Sequence, residues 1–259
     1  GRPLRQALGG IVYHLLNRRV LRLPLFEDDG DYLAFWQVLA EAMRRTDAPQ
    51  LLTASLMPNH WHLVVRPSRD GELPKWMQWL SVTQHTDGTL TITDLNGPRD
   101  QGRFKSFPVQ DDEHFLTVAR YVERNALQAG LAQHDRAERW RWSSLWLRDR
   151  RNARQLTAIE AELNASHSAW PVSRPRNWLR FVNQAQTARE LEALRQSVRR
   201  GSPFGSEGWS ARTVSGWLYK AQFALAADRR RRIIILTPLF VPDAPQLLTA
   251  SLMPNHWHL

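Results

Sequence analysis

Leu56-Met57-Pro58-Asn59-His60-Trp61-His62-Leu63-Val64-Val65 is the stretch on which the reading of this chain turns. Pro58-Asn59 is a turn pair, and the residues after it are rich in β-formers. The spacing predicts a buried strand entered from a turn, with Leu51-Leu52-Thr53-Ala54-Ser55 as the preceding arm of a hairpin. On a strand, residues two apart share a face, so His60 and His62 project together and Trp61 faces the other way. Two imidazoles on one rigid strand form half of a site for a divalent ion. By itself the pair equally fits two histidines hydrogen-bonded within the fold, so the rest of the chain has to supply further ligands and a nucleophile.

The elements on either side can be read from period and caps. Gly9-Gly10 leads into Ile11 to Asn17, a first strand ending at Arg18-Arg19. Asp28, Asp29 and Asp31 open an amphipathic helix through Met43, acidic residues being favourable at a helix N-terminus. Leu73 to Val82 reads as a helix with Pro74 near its start, and His85 to Gly97 as loop. Gly102-Arg103-Phe104-Lys105-Ser106-Phe107-Pro108 reads as a strand carrying Arg103 and Lys105 on one face. Asp111-Asp112-Glu113 opens the strongest helix, running to Ala129 and closed by Gly130. Tyr121 and Asn125 stand four apart and share one of its faces.

Among the four tyrosines, Tyr121 is the best candidate nucleophile. Tyr32 and Tyr219 have aromatics four residues on, Trp36 and Phe223. Tyr13 has Asn17 at that spacing, but on a strand the two lie ~13 Å apart. His60, His62, Asn125 and Tyr121 thus make a set of two imidazoles, an amide oxygen and a phenol. An amide oxygen is a hard ligand and imidazole a softer one, a mixture suited to Mg²⁺ or Mn²⁺.

Composition narrows the partner. The 259 residues carry a formal charge of +10, supplied almost wholly by arginine, and include twelve tryptophans. Arginine suits bidentate contact with phosphate, and indoles suit the gripping of bases, so nucleic acid is the expected partner rather than a membrane surface. The absence of cysteine excludes disulfides, thiolate zinc sites and cysteine nucleophiles. A cytoplasmic, nucleoid-associated protein is expected.

His60-Trp61-His62 resembles the His-hydrophobic-His motif of single-tyrosine transposases, and Tyr121-Val122-Glu123-Arg124-Asn125 resembles their nucleophile helix. Tyr13 to Arg18, Met57 to Leu63, Gly102 to Ser106, Tyr121 to Gly130 and Trp140-Arg141-Trp142-Ser143-Ser144 resemble REP-associated tyrosine transposases more specifically. The similarity spans about Arg2 to Ser210. It departs at Asp100, where the family has an aromatic, and again beyond Ser210. The resemblance implies an α+β fold, a ferredoxin-like palm whose central antiparallel sheet is flanked by helices, with a basic, mainly helical C-terminal region. It implies His60, His62 and Asn125 as metal ligands, Tyr121 as nucleophile, and single-stranded or hairpin DNA of REP-type palindromes as partner. Arg18, Arg103, Lys105, Arg120 and Arg124 are expected on the DNA. The expected organisation is a catalytic domain over 1–147, a basic DNA-binding region over 148–228 and an atypical tail over 229–259.

Two other functions stay open at this point: a DNA-binding relic of such an enzyme, and a hydrolase whose metal activates water. The tail adds an oddity. Asp243 to Leu259 repeats Asp47 to Leu63 letter for letter, His256 and His258 included. A diverged structural repeat does not stay identical, so a recent coding duplication, a rearranged gene or an assembly artefact is the expected origin. Such a copy has the sequence to compete for the hairpin's place in the sheet, and that idea predicts a changed oligomeric state on deleting 243–259.

Overall fold

In the computed structural model, residues 7–18, 24–82, 104–132, 136–216, 235–239 and 247–251 are described. The palm is built in the order β1 (Val12–Arg18), α1 (Asp29–Met43), β2 (Gln50–Met57), β3 (His60–Arg66), α2 (Glu72–Val82), β4 (Lys105–Val109). The strands form one antiparallel sheet in the order β2-β3-β1-β4. This βαββαβ succession is the ferredoxin-like arrangement, and the fold is α+β as expected. Pro58-Asn59 is the tight turn joining β2 to β3, as the turn chemistry predicts. The histidine strand lies inside the sheet, between β2 and β1.

Each sheet face has its own helices. On one face Trp61 meets Phe35 of α1 with ring centroids 5.8 Å apart, and Trp76 of α2 donates its indole N–H to Ala42 O at 2.9 Å. Asp28 caps α1 by accepting from the N–H groups of Gly30 and Asp31. At the start of the palm, a Cβ on Gly9 would lie 2.6 Å from Arg69 Cα and Ser68 O, so only glycine lets the two loops touch there. Gly9→Ala is expected to destabilise the palm by about 1–3 kcal/mol, as overpacking does, measured by urea denaturation.

The opposite face carries His14, Leu16, His62, Val64 and Phe107, as the pairings Leu16↔His62, His14↔Val64 and His14↔Phe107 require. It is covered by α3 (Glu113–Gln128), whose Phe115, Val118, Ala119 and Val122 join Val12, Leu16, Val64, Phe107 and Val109 in one core. Asp112 caps α3 by accepting from the His114 N–H, and Gly130 ends it in the left-handed conformation at φ 70°. Asp112, Glu113 and His114 also bring carboxylate and imidazole atoms within 4.8 Å of one another, with Asp112 engaged as this cap.

Residues beyond 147 continue the same body. One compact unit runs Gln6–Val214. Four further helices belong to it: α4 (Ser144–Leu147), α5 (Ala158–Ser166), α6 (Trp178–Asn183) and α7 (Ala188–Arg200). Residues 207–216 are helical as well. Trp140 to Ser144 closes the outer edge of β2: Leu56 N–H donates to Trp142 O, Trp140 Nε1–H to Leu56 O, and Ala54 N–H to Ser144 Oγ. An open strand edge invites foreign pairing, and this segment removes that hazard.

The tail forms a second unit. In it β5 (Ile235–Leu239) pairs antiparallel with β6 (Leu247–Ser251), which is the copy of Leu51–Ser55. The original segment pairs with β3, so each copy has a partner of its own. Deleting 243–259 is therefore expected to leave the elution volume and light-scattering mass per protomer set unchanged. A shift in oligomeric state would show that the copies do compete. His256 and His258 lie outside the described residues.

Candidate active site

The expected chemical groups come together on the α3-covered face. His62 is buried, and its Nε2 lies 2.7 Å from the Asn125 amide nitrogen. The His60 and His62 rings stand perpendicular with centroids 4.9 Å apart. The Tyr121 ring is edge-on to His62 at 5.7 Å, and Tyr121 is half-buried against the core. The β3 pleat aims both histidines at α3, and the helical period turns Tyr121 and Asn125 back toward them.

Hydrogen bonds at the far side of each imidazole decide what it presents. His60 Nδ1 is 2.6 Å from Asn59 Oδ1, an oxygen that only accepts, so Nδ1 carries the proton and Nε2 the lone pair. His62 Nδ1 is 2.9 Å from His14 Nε2. His14 is fully buried on β1 and also meets Phe107 and Tyr121 edge-on at 4.9 and 6.3 Å. Burial drives the His14 imidazole down to about 3, with the nearby His60 pushing the same way, so it is neutral. A half-turn of the Asn125 amide about Cβ–Cγ presents its oxygen in place of the nitrogen. Two imidazole nitrogens and an amide oxygen are a donor set that fits a divalent ion.

Sequence reasoning did not single out His14, although it lies within the quoted Tyr13–Arg18 motif. The only signal was its place two residues before Leu16, which gains meaning once the β1–β3 register is known. Glu123 was also passed over. It is buried between Tyr121 and Asn125 in sequence, and accepts from Thr53 Oγ1 at 2.9 Å, Trp178 Nε1 at 2.6 Å and Arg148.

The basic residues divide. Lys105 is exposed at the start of β4, and Arg18 stands opposite His60 in the β1–β3 register. Arg103 lies outside the described residues, as does Asp100. Arg120 departs from the expected DNA contact: it is only 4% exposed, donates to Gln184 O and Ala185 O, and stacks 3.8 Å over the Phe181 ring. Arg124 likewise donates to Val182 O at 2.8 Å. Both guanidiniums are taken by carbonyls of the segment that folds back over α3, and desolvation there lowers both pKa values. The large tryptophans are similarly inward, with Trp36, Trp61 and Trp76 fully buried. Among the described residues no helix is long and apolar enough to cross a membrane.

Residues 8–125 match the model of the family described as "Transposase IS200 like". The match covers 118 of the 259 residues. The matched segment takes in the palm and ends on Asn125, so it holds His14, His60, His62, Tyr121 and Asn125 together. A solved structure described as "Structure of the REP associates tyrosine transposase bound to a REP hairpin" is 16% identical, with a TM-score of 0.39 over 60% of this chain and 86% of that one. No curated protein matches the chain.

Proposed function

We propose that this transposase cuts and rejoins single-stranded DNA at REP-type hairpins, with Tyr121 as nucleophile and His60, His62 and Asn125 as ligands of Mg²⁺ or Mn²⁺. The observation that carries the proposal is the orientation of the two histidines. Each turns its Nδ1 toward a protein neighbour, and His62 Nε2 meets the Asn125 amide beside the Tyr121 ring.

The Tyr121 oxygen attacks phosphorus, the P–O3′ bond breaks, and the strand separates into a 5′-phosphotyrosine and a free 3′-OH. A bound divalent ion would polarise a non-bridging oxygen of that phosphate and favour the phenolate. One ester replaces another, so a 3′-OH can reverse the step without an external energy source. The phenol is held by packing against the core and by the edge of His62, which restricts its ring to few positions. The REP-type hairpin is proposed from the motif set, and the polyanionic partner from the charge of +10.

The test is a hairpin oligonucleotide labelled 3′ to the cut, incubated with the protein and Mn²⁺ and run on a denaturing gel. A chelator-sensitive protein–DNA adduct supports the proposal. Cleavage without an adduct points to activated water, and binding without cleavage to a relic. Lys105, Arg18 and Arg103 are proposed on the backbone of the DNA. Lys105→Ala should weaken binding of different hairpins alike and lower the slope of log K against log salt by about 0.7–1, in fluorescence anisotropy titrations.

A further inference from the structure

We infer that His14 is a positioning residue that fixes the tautomer of His62, and thereby the lone pair His62 turns toward Asn125. The metal arm of this inference rests on the ligand assignment proposed above; the tautomer arm does not.

A nitrogen–nitrogen hydrogen bond between two neutral imidazoles holds one proton, which belongs either to His62 Nδ1 or to His14 Nε2. Asn125 decides between them. Its amide nitrogen carries hydrogens and approaches His62 Nε2 at 2.7 Å, so Nε2 accepts and the His62 proton sits on Nδ1. His14 Nε2, 2.9 Å away, is then the acceptor. The proton of His14 is left on Nδ1, which has no hydrogen-bond partner and is fully buried.

That orphaned N–H is the informative feature. An unpartnered buried donor costs folding free energy, and an apolar side chain in the same place would avoid the cost. What an apolar residue cannot do is accept from His62 Nδ1. Without that acceptor, His62 is free to carry its proton on Nε2, where it would block a ligand position. The His14 ring cannot drift, since Phe107 and Tyr121 both press edges against it. His60 receives the same service from Asn59, so each histidine of the pair has its own orienting neighbour.

The experiment uses the full chain labelled with ¹⁵N-histidine, read by long-range ¹H–¹⁵N correlation, together with Mn²⁺ titrations by calorimetry. In the unaltered protein, His62 is expected as the Nδ1–H tautomer. His14→Phe should shift His62 toward the Nε2–H form and weaken Mn²⁺ binding by about 10–100-fold, the usual effect of losing an orienting partner. His14→Gln, whose amide oxygen can only accept, should keep both the tautomer and the affinity near those of the parent. Melting curves establish that the variants fold. An Nε2–H His62 in the parent, or a His14→Phe protein with unchanged tautomer, overturns the inference. If His62→Ala binds Mn²⁺ as the parent does, the metal assignment falls separately while the tautomer arm still decides the role of His14.

Discussion

Tyr121→Phe is expected to abolish covalent capture of a hairpin oligonucleotide while leaving hairpin affinity within about twofold of the parent. The substitution removes one oxygen and keeps the ring that packs on His62, His14 and the core. The ring itself, and its packing on this face, is kept. Loss of a nucleophile typically costs roughly 10⁴-fold or more in the chemical step, so the adduct should fall below detection on a denaturing gel. Strand cleavage that persists in the phenylalanine variant would assign the chemistry to water instead. His62→Ala should remove the adduct too, but the two variants part company in a Mn²⁺ titration, where only the histidine variant loses affinity.

Glu123→Ala is expected to be the most damaging substitution outside the chemistry. The carboxylate is fully buried and receives the Thr53 hydroxyl, the Trp178 indole and the Arg148 guanidinium. Arg148 is held below its ordinary pKa chiefly by desolvation, and Glu123 is the carboxylate that faces it, beside the Leu52 carbonyl. Removing one partner of such a pair costs about 3–5 kcal/mol. At about 2–4 °C per kcal/mol for a unit of this size, the melting temperature should drop by roughly 10 °C. Glu162→Ala is the control, since its pair with Arg44 is largely solvent-exposed and worth at most about 1 kcal/mol. Equal losses in the two variants would refute the account.

Much of the palm was legible because its signals are local. Pro58-Asn59 between two β-forming runs specifies a hairpin, the acidic residues before Tyr32 and Phe115 specify helix starts, and a period of two puts His60 and His62 together. Strand order and register are not local. His14 and His62 are forty-eight residues apart, and nothing in either segment announces that β1 lies beside β3. The arginines show the same limit from the other side. Arg120 and Arg124 form a basic helix face at ideal spacing for phosphate, yet residues 182–185 fold back and present carbonyls to them. Helical spacing says which residues share a face, and only the tertiary fold says what that face meets. Trp36, Trp61 and Trp76 went to the core for the same reason: an indole offers large apolar area wherever it lands.

The inward use of Arg120, Glu123 and Arg124 bears on how this chain can evolve. Three charged residues within five positions of α3, on either side of Tyr121 in sequence, are committed to Val182, Gln184, Ala185, Trp178 and Arg148. The segment after residue 147 is consequently no interchangeable cassette. Recombination that replaced it would strand the buried Glu123 carboxylate and leave the buried Arg120 guanidinium without its carbonyl partners. An exposed position such as Lys105 can change without stranding either partner of these buried pairs.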